Sequence, residues 1–234
     1  MDLIKNYAFT FARGGSKGLP EKHIKKLAGT PLINYSIDAA LKCSVIDKVF
    51  VSTDCNDIAS IASEAGAEII MRPFELATDT SPEWLAWRHA IGEVQKIHGE
   101  FDNFVSLPAT SPLRSTSDIE QAIEKRLSSG SDLCLSIVKA SRSPFFNMVK
   151  LESDGSVKLL MTQEKEVLRR QDSPEIYDIT TVVYVSSPEY ILNNFGLFSG
   201  RTTAVEIPKQ RAVDIDDIYD FKLAEVILNE RLGD

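Results

Sequence analysis

Phe9-Thr10-Phe11-Ala12-Arg13-Gly14-Gly15-Ser16-Lys17-Gly18-Leu19-Pro20-Glu21-Lys22 is the stretch on which the reading of this chain turns. A short apolar run, Tyr7 to Phe11, breaks abruptly into Arg13, three glycines (Gly14, Gly15 and Gly18), Ser16 and the lysines Lys17 and Lys22. Glycines let backbone N–H groups come close to an anion, and Arg13 and Lys17 add charge that can bridge phosphate oxygens. The composition is that of a loop that holds phosphate at the end of a buried strand.

Two common phosphate loops do not fit. A P-loop places four residues between its first glycine and a Gly-Lys-Ser/Thr ending, an order absent here. A dinucleotide-binding turn runs from G-x-G-x-x-G straight into a helix. Here Pro20 and the charged residues Glu21 to Lys26 intervene, and a helical pattern begins only after Gly29-Thr30-Pro31. The loop is long enough to wrap a nucleotide; the plainer alternative is a solvated Gly/Lys turn.

Ala12 to Lys22 resembles the signature loop of the acylneuraminate cytidylyltransferases, the CMP-sialic acid synthetases, which are cousins of the CMP-Kdo synthetases. The resemblance runs from Phe9 to about Leu228 and is tightest at the two ends. It implies a three-layer, Rossmann-like nucleotidyltransferase α/β fold, a mostly parallel sheet flanked by helices. It implies one domain over 1–234, with 139–180 as an inserted segment through which two subunits clasp and complete each other's sugar sites.

Composition sets bounds that agree. At 234 residues and 26.0 kDa the chain can bury about 70% of its unfolded surface. A net charge of -8 argues against nucleic acid or an anionic membrane as partner. The basic loop residues therefore run against the average, as a small anionic ligand would require. Cys43, Cys55 and Cys134 have neither disulfide nor zinc spacing and read as reduced thiols in a cytoplasmic protein. No apolar run is long enough for a leader or a membrane span.

Along the chain, apolar spacing predicts a helix through Leu32, Ile33, Ile37 and Leu41, and strands at Val49–Ser52 and Glu68–Met71 around a helix at Asp57–Ala65. This is the beat of an α/β sheet, whose ligands bind outside the carboxyl ends of the strands. Arg72-Pro73-Phe74-Glu75-Leu76-Ala77-Thr78-Asp79-Thr80 resembles the family loop over the nucleotide base, which implies Arg72 as a nucleotide contact. Asp79 reads equally as a helix N-cap. Trp84, Trp87 and Ile91 share one face of a helix over 82–96 and read as core. A strand at Asn103–Leu107, a helix at Asp118–Ser128 and a strand at Asp132–Val138 follow.

Thr110-Ser111-Pro112-Leu113-Arg114 matches the family after that strand, and Thr110 and Ser111 are implied in the nucleotide site together with Ala12, Gly14, Gly15, Ser16 and Lys22. Pro108 stands where the family has a glutamine that contacts sugar, and proline cannot donate that hydrogen bond. From Lys139 to Tyr177 the α/β beat is lost, with a hairpin signal at Asp154-Gly155. Phe145, Phe146 and Met148 would suit an interface, or ordinary core. Arg169 and Arg170 with Gln171 match the family's Arg-Gln stretch, and Arg170 could grip a sugar carboxylate bidentately or belong to a solvated charge run; Thr180 and Thr181 replace the family's Asn-Gly. With Pro108 and Thr180 both altered, the sugar is left unnamed.

Val213-Asp214-Ile215-Asp216-Asp217 closes the motif set. In extended backbone, residues two apart share a side, so Asp214 and Asp216 can present two carboxylates to one Mg²⁺, while Asp217 reads as the cap of a helix over 218–232. The family carries the same pattern here, which implies Asp214 and Asp216 as metal ligands and, with Arg13 and Lys17, as catalytic residues. The implied reaction joins CMP from CTP to the anomeric hydroxyl of an acidic 2-keto sugar, with pyrophosphate leaving. His23, where the family has asparagine, reads as a hydrogen-bond donor or a general base. Another base, a Kdo-type sugar, or a weak nucleotide-sugar binder are the competing readings.

Overall fold

The computed structural model describes residues 4–162, 169 and 172–233. Its centre is a seven-stranded sheet: β1 (Asn6–Phe11), β4 (Lys48–Thr53), β5 (Glu68–Met71), β6 (Asn103–Ser106), β7 (Leu133–Lys139), β10 (Tyr177–Ser186) and β11 (Thr202–Glu206). The spatial order is β11-β7-β10-β6-β1-β4-β5, and only β10 runs antiparallel to its neighbours. Two short ribbons stand apart, β2 (Lys26–Leu27) with β3 (Thr30–Pro31), and β8 (Val149–Leu151) with β9 (Val157–Leu159). The second is the hairpin expected at Asp154-Gly155, turned by Gly155 at φ +82°.

β1 lies at the middle of the sheet and both of its faces are covered, so it is apolar almost without interruption. Alternation sorts its side chains. Ala8 faces a layer formed by α1 (Leu32–Leu41), α2 (Asn56–Glu64) and α4 (Thr116–Ser129), with Ile33, Ile37, Ala62, Ile119 and Ile123. Tyr7 and Phe9 face α3 (Glu83–His98) and α5 (Pro188–Asn193), packing with Phe50, Phe104, Trp87 and Ile91. Trp84, Trp87 and Ile91 are core, as their spacing predicts, and the Trp84 indole N–H donates to the carbonyls of Ile191 and Asn194. The three layers match the expected architecture.

A third, smaller cluster positions the site. α6 (Ile218–Gly233) sets Phe221, Ala224 and Leu228 against Leu19 of the glycine loop, Leu32 and Ile215. Burying these side chains together draws the start and the end of the chain to one place. Asp217 caps α6 as expected: its Oδ1 accepts from the backbone N–H groups of Tyr219 and Asp220, while Asp220 Oδ2 accepts from the N–H of Asp217.

α5 and β11 are not announced by the sequence. β11 is a half-exposed edge strand, Thr-Thr-Ala-Val-Glu, with too little apolar alternation to stand out. Phe145 and Phe146 are half-buried, while the apolar side chains turned outward beside them include Met148, Val149, Leu151, Val157, Leu159, Leu160 and Met161.

Candidate active site

Strands β1, β4, β5 and β6 all end on one side of the sheet, and each delivers a piece of the site. β1 runs into Ala12, which is buried and donates its N–H to the carbonyl of Ser52 at 3.1 Å. The chain then turns outward: Gly14 N–H donates to Asp54 Oδ1 at the end of β4 (3.0 Å), Gly15 opens on free space, and Ser16 is half-buried. β5 delivers Arg72, whose backbone N–H bonds the carbonyl of Thr53 (2.8 Å) and whose guanidinium donates to that of Ser52 (3.1 Å). Its Nε is buried without a partner.

Arg13 and Lys17 converge on one carboxylate, Asp79; the Arg13 contact is 2.6 Å. Asp79 is therefore no helix cap, since α3 starts at Glu83. The two cations, with the Lys17 hydrogen bond foremost, hold the Asp79 carboxyl below its ordinary value. Phe11, Arg13, His23, Arg72, Asp79 and Glu83 line a cavity of about 270 Å³. His23 is buried with its Nδ1 unpartnered. Burial first, then the charges of Lys22, Arg72 and Arg13, pulls its pKa down to about 4. It is a neutral imidazole at neutral pH and too weak a base to take a proton from a sugar hydroxyl.

The carboxylate segment is held from three sides. Lys22 Nζ donates to the carbonyl of Ile215 at 2.7 Å and lies 3.7 Å from Asp216 Oδ1. Ile215 N–H donates to the carbonyl of Thr110 at 2.9 Å. Arg211 grips the buried Asp118 at the start of α4 with two bonds, 2.9 and 2.8 Å, which fixes the approach to Val213. Gly18 packs so closely that a Cβ there would stand 2.5 Å from the backbone oxygen of Asp216.

Asp214 is half-buried, with the hydroxyls of Thr110 and Thr181 beside it, yet its Oδ1 is buried without a hydrogen-bond partner. Burial, and then the nearby Asp216 charge, raises its pKa, against the Thr110 and Thr181 hydroxyls and Lys22. An unfavourably buried carboxylate with a free oxygen, beside an exposed second carboxylate, fits a hard divalent cation. Among the described residues no three ligating side chains gather, so two carboxylates could supply only part of a shell, the remainder falling to water and phosphate, as suits Mg²⁺.

The other residues singled out by the sequence serve the walls. Ser111 is fully buried and its Oγ meets Thr181 Oγ1 at 2.7 Å. Thr180 is buried and donates to Ser136 Oγ at 2.8 Å. β10 bulges by Thr181 to Val183 between the pairs Thr180–Ser136 and Tyr184–Leu135, and this places Thr181, which the sequence marks only as a departure from the family's Asn-Gly, against Asp214. Pro108 is half-buried, its carbonyl bonded by the buried Arg114 guanidinium (2.5 Å), which also donates to the carbonyl of Val182 (2.8 Å). Arg170 and Gln171 lie outside the described residues. Asp54 is legible in the sequence as an acid just past a strand end, whereas sequence reasoning passed over Arg211 and Glu83.

The cytidylyltransferase family matches residues 9–231 of the chain. The chain is 32% identical over 222 residues to post-translational flagellin modification protein B of Campylobacter coli, covering 94% of this chain and 93% of that protein. It is also 32% identical over 220 residues to the CMP-N,N'-diacetyllegionaminic acid synthase of Campylobacter jejuni, covering 93% and 92% respectively. An N-acylneuraminate cytidylyltransferase of Streptococcus agalactiae is 32% identical over 90% of this chain and 50% of its own length. In fold, the chain is similar to CMP:2-keto-3-deoxy-manno-octonic acid synthetase complexed with CTP, with a TM-score of 0.70 at 15% identity, covering 97% of this chain and 99% of that one.

Proposed function

The chain belongs to the cytidylyltransferase family and is a nucleotidyltransferase, and from that premise we propose that it transfers CMP from CTP to the anomeric hydroxyl of an acidic 2-keto sugar of the sialic or legionaminic class. One observation carries the reading: the glycine loop and the Asp214–Asp216 pair, at opposite ends of the sequence, are locked together through Lys22 and Gly18 at the strand ends. A loop for phosphate and a carboxylate pair for a cation belong together in phosphoryl chemistry, where the protein supplies position and charge neutralisation.

In the proposed reaction the sugar oxygen forms a bond to the α-phosphorus, the bond from that phosphorus to the bridging oxygen breaks, and pyrophosphate leaves; the hydroxyl proton passes to water. Arg13 and Lys17 hold the departing pyrophosphate, and the backbone from Gly14 to Ser16 seats the phosphates. Arg72 holds the nucleoside end. Asp214 and Asp216 would hold Mg²⁺, which when bound neutralises phosphate charge and lowers the pKa of the attacking hydroxyl. Lys22 keeps the Asp214–Asp216 segment against the loop through the Ile215 carbonyl.

Two copies joined through 139–180 suit the apolar hairpin, where Leu151 is 70% exposed and Val157 59%. Leu151→Asp should leave a monomer by light scattering. No described helix is long and apolar enough to cross a membrane, which agrees with a cytoplasmic enzyme drawing on CTP. The direct test is pyrophosphate release with Mg²⁺ and CTP, UTP, ATP or GTP against sialic, legionaminic, pseudaminic and Kdo-type acids. Release with CTP and one acid is expected; release only with another nucleotide overturns the assignment.

A further inference from the structure

The bulge in β10 is held by buried groups from two other parts of the chain. Thr181 to Val183 have no opposite residue on β7, so their backbone groups need partners from elsewhere. Ser136 Oγ, on β7, accepts from the N–H of Val183 at 3.0 Å and donates to the carbonyl of Thr180 at 3.0 Å. The next two carbonyls go to Arg114, whose guanidinium donates to Val182 (2.8 Å) and Thr181 (3.4 Å), as well as to the carbonyl of Pro108 and to Ser36 Oγ on α1. None of these acceptors is charged, and the nearby carboxylate of Asp118 is already gripped by Arg211. We propose that Arg114 is a positioning residue: it acts through Thr181, fixing the bulge so that the Thr181 hydroxyl stands beside Asp214, and thereby sets how tightly Asp214 and Asp216 hold a divalent cation; this rests on the cation role proposed above for that pair.

Burying a guanidinium with no carboxylate against it is unfavourable, and packing alone would be served better by an apolar side chain. What arginine supplies here is a rigid fork of five N–H donors, enough to hold four acceptors on three segments at once. The consequence reaches the site through one hydroxyl. Among the described residues the fully buried Ser111 hydroxyl meets only Thr181 Oγ1, at 2.7 Å, so Ser111 donates and the Thr181 proton is left for Asp214. A hydrogen bond to one oxygen of a ligating carboxylate fixes its orientation and leaves the other oxygen for the cation. Asp214 Oδ1 is buried with no partner. A relaxed bulge would carry the Thr181 hydroxyl away and leave the carboxylate free to turn.

Binding of Mn²⁺ alone, without nucleotide or sugar, is measured by water proton relaxation on wild type, Arg114→Lys, Thr181→Val and the double variant, alongside thermal melting in metal-free buffer. Lysine keeps the charge and loses the fork. Each single variant should weaken Mn²⁺ binding at least about tenfold, and the double variant should bind no more weakly than the weaker single one, because both changes remove the same hydroxyl contact. Arg114→Gln, which buries no charge, takes the place of Arg114→Lys in this comparison should the lysine variant fail to fold. A lowered melting temperature with wild-type Mn²⁺ affinity leaves Arg114 a purely structural role and overturns the inference. Losses that multiply in the double variant overturn it as well, since Arg114 would then act on Asp214 by a route other than Thr181. A wild type that binds Mn²⁺ no better than Asp214→Asn overturns the cation reading itself and this inference with it; a wild type that binds Mn²⁺ through Asp214, with Arg114→Lys binding it equally well, overturns this inference alone.

Discussion

Gly18 lies against Asp216 so closely that a methyl group on the one would stand 2.5 Å from the backbone oxygen of the other. The contact joins the glycine loop to the carboxylate segment, and backbone on both sides leaves no flexible side-chain tip to move aside. Gly18→Ala should therefore cost about 1–3 kcal/mol of stability, as overpacking does, and lower turnover more than it lowers melting temperature, because relief comes from separating the loop from Asp214 and Asp216. Urea unfolding with pyrophosphate release on the same variant checks both. Full activity would show that the loop and carboxylates need not touch.

Asp214→Asn should separate stability from activity. The wild-type carboxyl is buried with an unpartnered oxygen and its pKa is raised by burial and by Asp216, so its charge is a cost the folded state bears at neutral pH. The amide removes that cost and weakens any cation site. The melting temperature should rise while turnover falls at least about 100-fold. In wild type, added Mg²⁺ should raise the melting temperature, and this shift should vanish in Asp214→Asn.

Asp79→Asn concerns the two cations of the loop. Asp79 holds Arg13 and Lys17, the groups on which the phosphates of CTP would call in the proposed reaction. Removing the carboxylate should tighten CTP binding several-fold, with a greater gain at low salt. These pairs are exposed, so thermal stability should hardly change. Weaker CTP binding would mean that Asp79 organises the loop instead of competing for it.

His23 predicts a pH dependence. Its folded pKa, about 4, lies below the unfolded 6.5, so between these values the unfolded chain binds more protons. The contribution is complete above 6.5 and is lost as pH falls toward 4, on the order of 3 kcal/mol at full extent. The neighbours that set it are Lys22, Arg72 and Arg13, opposed by Asp54. His23→Asn should flatten the stability profile between pH 6.5 and 4 in denaturant titrations; an unaltered profile would assign the acid sensitivity elsewhere.

Local pattern sufficed for much of this protein. The apolar run before Arg13 reads as a strand ending in the loop, the periodicities at Leu32–Leu41, Trp84–Ile91 and Asp118–Ser128 read as helices on such a sheet, and Asp217 announced the cap of α6. The glycine loop with Arg13 and Lys17, and the Asp214–Asp216 pair, are legible because their chemistry depends on residue type and close spacing. What only the tertiary structure decided involves partners far apart in sequence. Lys22 finds the Ile215 carbonyl 193 residues away, and Arg211 finds Asp118 93 residues away. The β10 bulge, which depends on how two strands pair, turns Thr181 and not Thr180 toward Asp214. Glu83 reads as an ordinary first-turn acid until α3 docks and sets it across from Arg72. Side-chain spacing encodes a strand or a helix, but it does not encode which distant group will share a buried space, because that follows from how the apolar faces pack.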